Sequence, residues 1–225
     1  MTKIVFKNKN AVIIYKPPGI PSQSDLSGDP DALTLTSSLL ATAGEPHELY
    51  LVHRLDRVVG GIMVLARNKK SAAALSALVS GEGIGKEYLA VVEGDPTSGE
   101  LRDFLVKDAR ASVAKVVSEG TKGAKEAILE YETVATATTD RGKRSLLRVM
   151  LHTGRFHQIR AQLSSRSMPI VGDGKYGSCD RLTRMPALHA HRLAFDLLGE
   201  HVEALTPPDI SAYPWNLFPD EAYRG

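Results

Sequence analysis

A chain of 225 residues with 43% hydrophobic and 24% charged residues can bury a core, and this composition excludes a disordered, collagen-like or coiled-coil protein. A formal charge of +2 gives the whole molecule no strong attraction for a polyanion. No apolar run approaches the roughly 20 residues that cross a bilayer, and no secretion leader is recognisable. The single cysteine, Cys179, cannot form an internal disulfide. We therefore expect a cytoplasmic protein.

The first half of the chain predicts alternating strands, turns and helices. Residues 11–15 are apolar and β-branched and predict a strand, and residues 16–19, Lys-Pro-Pro-Gly, predict a rigid turn. The acidic segment 29–31 precedes spaced leucines and predicts the start of a capped helix. Residues 62–66 predict a buried strand, and residues 69–79 have helical composition and spacing.

The middle of the chain predicts mainly strands. Residues 86–93 predict one strand, and residues 101–117 predict short strands joined by a charged turn. Residues 124–137 alternate in polarity, which predicts a strand with one wet face. Residues 146–151 predict a further strand, and residues 157–165 predict a helix with apolar residues one turn apart.

The last part of the chain completes the fold prediction. Residues 169–174 predict a short strand and a turn, residues 188–197 predict a late strand, and the prolines in residues 206–208 interrupt regular structure. Strands outnumber helices without regular βαβ alternation. We therefore predict an α+β fold with a mixed, largely antiparallel sheet and flanking helices, in a single domain over residues 1–225.

The segment 141–166 carries seven basic residues and no Asp or Glu. Such a run is typical of a solvated face, but it can also be the electrostatic footprint of a phosphate backbone. Both interpretations remain open at this point.

A first candidate site is the segment 53–57, His-Arg-Leu-Asp-Arg, which precedes the predicted buried strand. It places the Asp56 carboxylate between Arg54 and Arg57, and neighbouring cations favour the ionised carboxylate. The alternative is a purely structural salt bridge.

A second candidate site is the segment 151–160, which is dense in hydrogen-bond donors at a predicted strand-to-helix junction. A helix dipole disfavours cations at its N-terminus, so Arg155 and His157 need an anion to offset them. That anion could be a nucleic acid phosphate or a carboxylate such as Asp56. The alternative is a capped helix with a basic first turn.

Other motifs favour structural roles. The glycines of residues 81–85 lack the spacing and preceding strand of a dinucleotide-binding loop. No P-loop or nucleophile-elbow motif is present. His189 and His191 share a face of a predicted strand and could begin a metal site, but no carboxylate or cysteine stands suitably close in sequence, which favours a packed pair.

Five segments together resemble one enzyme family. Residues 53–56, 86–94 and 153–160 follow the order and approximate spacing of the RluA family of pseudouridine synthases, and residues 16–19 and 169–177 are also similar to it. The similarity runs over almost the whole chain. Each motif alone would be weak, but five in order are specific.

The resemblance implies isomerisation of uridine to pseudouridine in ribosomal or transfer RNA, with no cofactor, in a central RNA-binding cleft. It implies Asp56 as the essential carboxylate, Tyr88 as the ring that stacks on the base and relays a proton, and Arg160 as the cation that keeps Asp56 ionised. The target base must be flipped out of its stack. The residues that the resemblance assigns to RNA binding are Lys16, His53, Arg54, Arg155, His157, Gln158, Ile170 and Lys175.

Two departures from the family pattern affect the expectations. Residues 58–61 read Val-Val-Gly-Gly where many members carry Thr-Ser-Gly, so local RNA contacts are expected to differ. Only about ten residues precede residue 11, so we expect no N-terminal RNA-binding domain. We also expect a monomer, because the sequence suggests no repeated apolar interface.

Two other functions remain as alternatives. The same fold could serve as an RNA-binding or ribosome-assembly factor with incidental catalysis. A glycoside hydrolase would use Asp56 as nucleophile, but it would need a second carboxylate, for which Asp173 in its glycine turn is the nearest candidate.

Overall fold

The computed structural model describes residues 1–81 and 83–224. Contacts divide the chain into two compact units, the first formed by Met1–Lys86 with His189–Pro208 and the second by residues 87–188 with the segment that begins at Asp209. Within the described residues no helix is long and apolar enough to span a membrane. The single domain predicted from the sequence stays a prediction.

The described residues form a mixed, mostly antiparallel set of strands, which confirms the predicted α+β class. The strands are β1 (Lys3–Lys7), β2 (Ala11–Lys16), β3 (Tyr50–Leu51), β4 (Gly60–Ala66), β5 (Ile84–Glu93), β6 (Gly99–Asp108), β7 (Val113–Val117), β8 (Lys125–Thr139), β9 (Gly142–Leu151), β10 (Leu188–Leu197) and β11 (Glu200–Leu205). The helices are α1 (Ala32–Thr42), α2 (Lys69–Ser80) and α3 (Gln158–Ser165).

In the first unit, β2 lies between β1 and β4 and runs antiparallel to both. β4 pairs in parallel with β10, and β10 pairs antiparallel with β11. β2 and β4 are buried along almost their whole length, which agrees with the apolar sequence of β4 and of residues 11–15 in β2. The register sets Lys16 opposite Gly61 and so brings the turn after β2 beside the start of β4.

Local capping explains where the helices of the first unit begin. The Asp31 side chain accepts the Thr34 N–H at 2.9 Å and caps α1, as the acidic segment predicted. Asn68 and Ser71 form a reciprocal capping box at the start of α2.

In the second unit the strand order is β5–β9–β8–β6–β7, and each neighbouring pair is antiparallel. The β6–β7 hairpin packs with α3, and the Ala114 N–H of β7 donates to the hydroxyl of Tyr176 in a short 3₁₀ helix, Gly174–Tyr176. The buried residues of this small core are Leu105, Ala114, Ala127, Ala161 and Tyr176.

Some elements differ from the sequence prediction. β1, β3 and β11 were not predicted; β1 and β11 are half exposed, with charged residues between their apolar ones. Residues 169–174 were predicted to hold a short strand, but they contribute only an isolated bridge between Ile170 and Val92. Pro169 lacks an N–H to donate, which limits pairing at this position.

Candidate active site

Asp56 lies at the first position of a turn that leads into β4. The Val59 N–H donates to the Asp56 carbonyl at 3.0 Å, which closes this turn. The neighbouring Leu55 is buried and exchanges two hydrogen bonds with Ser22, whose Oγ accepts the Leu55 N–H at 3.1 Å and donates to the Leu55 carbonyl at 2.9 Å. The turn therefore presents the half-buried Asp56 side chain from a fixed backbone.

His53 braces the same turn from the side of β4. The Val64 N–H donates to His53 Nε2 at 3.0 Å, so this nitrogen is an acceptor. Burial, reinforced by the charge of Lys86, lowers the pKa of His53 to about 4. His53 is therefore neutral at pH 7, and its contact with RNA stays a prediction.

Lys16 supports the Asp56 turn through hydrogen bonds to backbone carbonyls. Its position contradicts one prediction from the sequence. Its side chain is 0% exposed, and Nζ donates to the carbonyls of Pro17 (3.1 Å), Ile20 (2.8 Å) and Arg57 (3.2 Å). Burial lowers the pKa of Lys16 to about 8, although the charge of Asp56 opposes this shift. A fully buried ammonium that serves three carbonyls cannot reach a phosphate backbone, so Lys16 is a positioning residue and not a phosphate contact.

Arg57 does not flank Asp56 in the way that the sequence suggested. Its guanidinium forms ion pairs with Asp25 and Asp29, and Nε donates to the Gly19 carbonyl at 3.0 Å. Arg57 therefore fastens the loop after β2 to the Asp56 turn. Arg54, by contrast, is exposed.

Close packing explains why two glycines, Gly60 and Gly61, follow the turn. Gly61 has φ +123°, and a Cβ added there would lie 2.7 Å from the Ala190 Cα on β10. A Cβ on Gly60 would lie 2.9 Å from Cδ of Pro18. The two glycines of the Val-Val-Gly-Gly segment thus permit a close backbone approach that any larger residue would prevent.

The predicted helix-junction site lies in the second unit, where Gln158 opens α3. Gln158 is buried, and its side-chain oxygen accepts from the Arg155 N–H (2.9 Å) and from Thr153 Oγ1 (2.8 Å). Its amide nitrogen donates to the Ile128 carbonyl at 3.1 Å. Gln158 therefore organises the loop from within, and its contact with RNA stays a prediction.

His157 occupies the N-cap position of α3 in the left-handed region, with φ 53°. It stacks on Phe156 with the ring centroids 3.8 Å apart, and its Nδ1 lies 2.9 Å from the Tyr176 hydroxyl. Burial, together with the charges of Arg160, Lys175 and Lys107, lowers the pKa of His157 to about 3. The expectation of a cationic His157 that needs an anion is wrong, because the imidazole is neutral at pH 7.

Arg160 and Asp173 form a buried ion pair in the second unit. Arg160 Nε and Nη2 donate to the two carboxylate oxygens of Asp173 at 2.6 and 2.8 Å. Arg160 and Asp173 are 3% and 1% exposed, and the guanidinium carbon lies 4.8 Å from the Tyr176 ring centroid. Asp173 therefore pairs with Arg160 in the interior, which argues against Asp173 as the second carboxylate that the hydrolase alternative would need.

The remaining predicted residues of the second unit lie at varied depths. Tyr88 lies on β5 opposite Val149 of β9 and is 9% exposed. Ile170 is fully buried. Arg155 and Lys175 are exposed, and they donate to the carbonyls of Glu126 and Ser112.

Sequence reasoning missed the supporting role of several residues. Asp173 stands between two glycines in a segment already noted for its family similarity, so a search for a charge partner of Arg160 could have found it. Ser22 carried no signal, because its contact with Leu55 joins residues 33 positions apart.

The predicted histidine pair on β10 is packed against a backbone carbonyl. His189 Nε2 and His191 Nδ1 lie 2.9 and 2.8 Å from the Thr206 carbonyl oxygen. Burial lowers the pKa of His189 to about 4, so its ring is neutral at pH 7. These contacts agree with the packed pair that the sequence favoured.

Comparison with known proteins agrees with this fold. The family model described as RNA pseudouridylate synthase matches residues 10–165. The solved structure of human RNA pseudouridylate synthase domain containing 4 has a TM-score of 0.76 and 23% identity, covering 92% of this chain and 89% of that one. At that identity the likeness shows the fold alone.

Curated relatives point to the same class. An uncharacterized RNA pseudouridine synthase of Haemophilus influenzae is 33% identical over 207 residues, which cover 92% of this chain and 87% of the relative. Ribosomal large subunit pseudouridine synthase C of Rickettsia bellii is 29% identical, and the match covers 84% of this chain and 62% of the relative.

The fold and these matches define an isomerase of the RNA-modifying class. The chain belongs to the RNA pseudouridylate synthase family, and the resemblance noted in its sequence is confirmed.

Proposed function

We propose that this chain isomerises specific uridines in ribosomal or transfer RNA to pseudouridine, with Asp56 as the catalytic carboxylate. The observation that carries the proposal is the bracing of the Asp56 turn by Ser22, His53 and Lys16. A carboxylate on a backbone held by a buried ammonium and by backbone hydrogen bonds is preorganised for a reaction at a fixed point. A purely structural salt bridge would not need this support.

The reaction conserves every atom of the nucleoside. The bond between N1 of the uracil and C1′ of the ribose breaks, the base rotates, and C5 bonds to C1′. C5 loses its proton and N1 gains one, so nothing is oxidised or reduced. Asp56 acts on the base or the sugar while the bond to N1 breaks, either as a nucleophile or by electrostatic assistance to elimination.

Tyr88 and Arg160 are the further catalytic residues of this proposal, on the family resemblance. A tyrosine can stack on uracil through its ring and move the C5 proton through its hydroxyl. The bidentate pair with Asp173 fixes the Arg160 guanidinium in one orientation, which suits a residue that positions an anion.

RNA binding in this proposal requires base flipping, because a stacked uracil is out of reach of a side chain. The exposure of Arg54 suits a residue that fills the space left by the flipped base. The exposure of Arg155 and Lys175 suits contacts with phosphates, which position the RNA without specifying its sequence. We propose a monomer, which sedimentation of the protein with and without RNA tests.

Tritium release tests the catalytic assignment. The substrate is total cellular RNA labelled at C5 of uracil, prepared from a strain that lacks the gene. Wild type is expected to release tritium, and Asp56→Asn is expected to release none while binding RNA within a few-fold of wild type. The matched control is Asp196→Asn, a carboxylate that is 81% exposed and pairs with His201, which is expected to keep full activity.

The outcomes of this assay are distinct. Turnover by Asp56→Asn would contradict the role of the carboxylate. RNA binding without turnover by wild type, on both ribosomal and transfer RNA, would favour the assembly-factor alternative. Tyr88→Phe is expected to bind RNA and to release tritium more slowly, and a wild-type rate would show that the hydroxyl is dispensable.

A further inference from the structure

The tip of the β6–β7 hairpin carries cations that the site described above does not use. Lys107 is the penultimate residue of β6, and Arg110 lies in the turn between β6 and β7. Both side chains are exposed, and neither forms an ion pair with any described residue. Phe156 and Lys175, from other segments of the second unit, lie beside this hairpin.

Specific contacts fix this hairpin to the helix-junction site. Lys107 Nζ lies 4.6 Å from the centroid of the Phe156 ring. Lys175 Nζ donates to the Ser112 carbonyl of the hairpin turn at 3.2 Å. The Ala114 N–H of β7 donates to the Tyr176 hydroxyl at 2.7 Å. The hairpin tip is therefore held in a defined position beside α3.

Nearby acidic groups do not cancel this positive charge, because other partners hold them. Asp108 pairs with Lys115 at 2.8 Å and accepts the Ala111 N–H at 3.0 Å. Glu126 pairs with Arg102 at 2.7 Å. Lys107 and Lys175 thus leave an excess of positive charge near Phe156, and Arg110 adds a further exposed cation in the turn of the same hairpin.

The cations also act on a common neighbour. The charges of Lys107 and Lys175 both contribute to the lowered pKa of His157, so the two ammonium groups lie within electrostatic reach of the same imidazole.

We infer that the β6–β7 hairpin is an RNA-binding element, in which Lys107 and Arg110 contact backbone phosphates outside the target nucleotide. Lysine and arginine contacts of this kind attract any RNA sequence and position it. Phe156 adds a ring on which a base or sugar of the flanking strand can pack. The inference rests on the proposed function for the identity of the partner and extends the interface beyond the residues that the family resemblance assigns.

Salt dependence of binding tests this element. The probe is a fluorescein-labelled oligouridine of twenty nucleotides, and its anisotropy is measured between 50 and 200 mM KCl with wild type and with Lys107→Gln/Arg110→Gln. Each phosphate contact contributes about 0.7 to 0.9 to the slope of log affinity against log salt, so the double variant is expected to lower that slope by about 1.5. Across this fourfold salt range the wild type would lose about eightfold more affinity than the variant.

Three controls keep the result interpretable. Lys122→Gln removes an exposed charge from the turn that follows β7, at the other end of that strand, and is expected to leave the slope unchanged. Lys107→Arg keeps the charge and is expected to retain the wild-type slope. Circular dichroism melts verify that each variant is folded, and glutamine keeps part of the aliphatic stem of each replaced side chain without its charge.

The two proposals fail separately. An unchanged salt slope in the folded double variant would overturn the hairpin inference, whatever the activity of the wild type. Retained turnover by Asp56→Asn would overturn the catalytic assignment, whatever the salt slope. An equal loss of slope in Lys122→Gln would also overturn the inference, because the effect would then follow net charge and not the hairpin tip.

Discussion

The Asp173→Asn substitution perturbs the buried pair with Arg160 while preserving the shape of the side chain. Both carboxylate oxygens of Asp173 accept from Arg160, at 2.6 and 2.8 Å. Asparagine keeps one acceptor oxygen and replaces the other with a donor, which cannot serve the guanidinium. The variant therefore loses one charge-assisted hydrogen bond and the charge that partners a buried cation.

The expected cost follows from burial and geometry. A hydrogen bond to a charged group contributes about 1.5 to 3 kcal/mol, and breaking a buried ion pair by removing one partner costs about 3 to 5 kcal/mol. Since one bond survives, the free energy of unfolding is expected to fall by about 3 kcal/mol. For a chain of this size each kcal/mol lowers the midpoint of thermal unfolding by about 2 to 4 °C, so the shift is about 6 to 12 °C.

Urea unfolding followed by circular dichroism measures this change. A lower midpoint with an unchanged slope would attribute the loss to stability and not to a change in compactness. The control is Asp196→Asn, because Asp196 is 81% exposed, and its expected change is within about 0.5 kcal/mol. A double variant, Arg160→Met/Asp173→Leu, is expected to recover part of the loss, since replacing both partners removes the uncompensated charge.

The reasoning would be refuted by an Asp173→Asn protein whose unfolding free energy lies within about 0.5 kcal/mol of wild type. It would also be refuted if the costs of the single substitutions at Arg160 and Asp173 simply added in the double variant, because residues in direct contact are expected to couple.

Two further predictions concern the support of the Asp56 turn. Lys16→Met removes the donor to the Arg57 carbonyl and is expected to lower kcat at least tenfold, measured by tritium release. Since the folded-state pKa of Lys16 is about 8, wild-type turnover is expected to fall as pH rises through about 8, and Lys16→Met should lack this limb. Between about pH 8 and 10.5 the unfolded chain binds more protons at Lys16 than the folded chain, so the contribution of Lys16 to stability rises with pH there. If the protein instead lost stability in parallel with its turnover, Lys16 would not be the cause of the loss of turnover. Gly61→Ala forces a Cβ to 2.7 Å from the Ala190 Cα at φ +123° and is expected to cost at least about 3 kcal/mol in urea unfolding. Gly85→Ala meets no atom closer than 3.4 Å and is expected to change stability by less than about 1 kcal/mol, so equal effects of the two substitutions would contradict the steric argument.

The local sequence pattern correctly predicted those strands and helices that have long apolar runs or clear capping residues. β4 is apolar over its whole length and β2 is apolar until its last residue, and a side chain caps the first turn of both α1 and α2. β11 escaped prediction because its alternating charged residues are also typical of a loop, and only pairing with β10 makes it a strand.

For the candidate site, the sequence indicated the important residue types but not their electrostatic state. Lys16 was expected on the surface and His157 as a cation, because both side chains are commonly charged and exposed. Burial reverses both expectations, and burial depends on segments far away in the chain. The Arg57 carbonyl that Lys16 serves is 41 residues distant, and Tyr176, whose hydroxyl lies beside His157 Nδ1, is 19 residues distant.

The sequence by itself determined the family, the α+β class and the identity of Asp56 as the candidate carboxylate, since these depend on motifs in order and on local periodicity. Only the tertiary structure decided which partners hold that carboxylate's turn, that Arg160 pairs with the buried Asp173, and that Lys107 of the β6–β7 hairpin lies over the Phe156 ring without an ion pair among the described residues. The physical reason is that charge, solvation and hydrogen bonding are set by neighbours in space, and chain folding brings these together from positions that no local pattern connects.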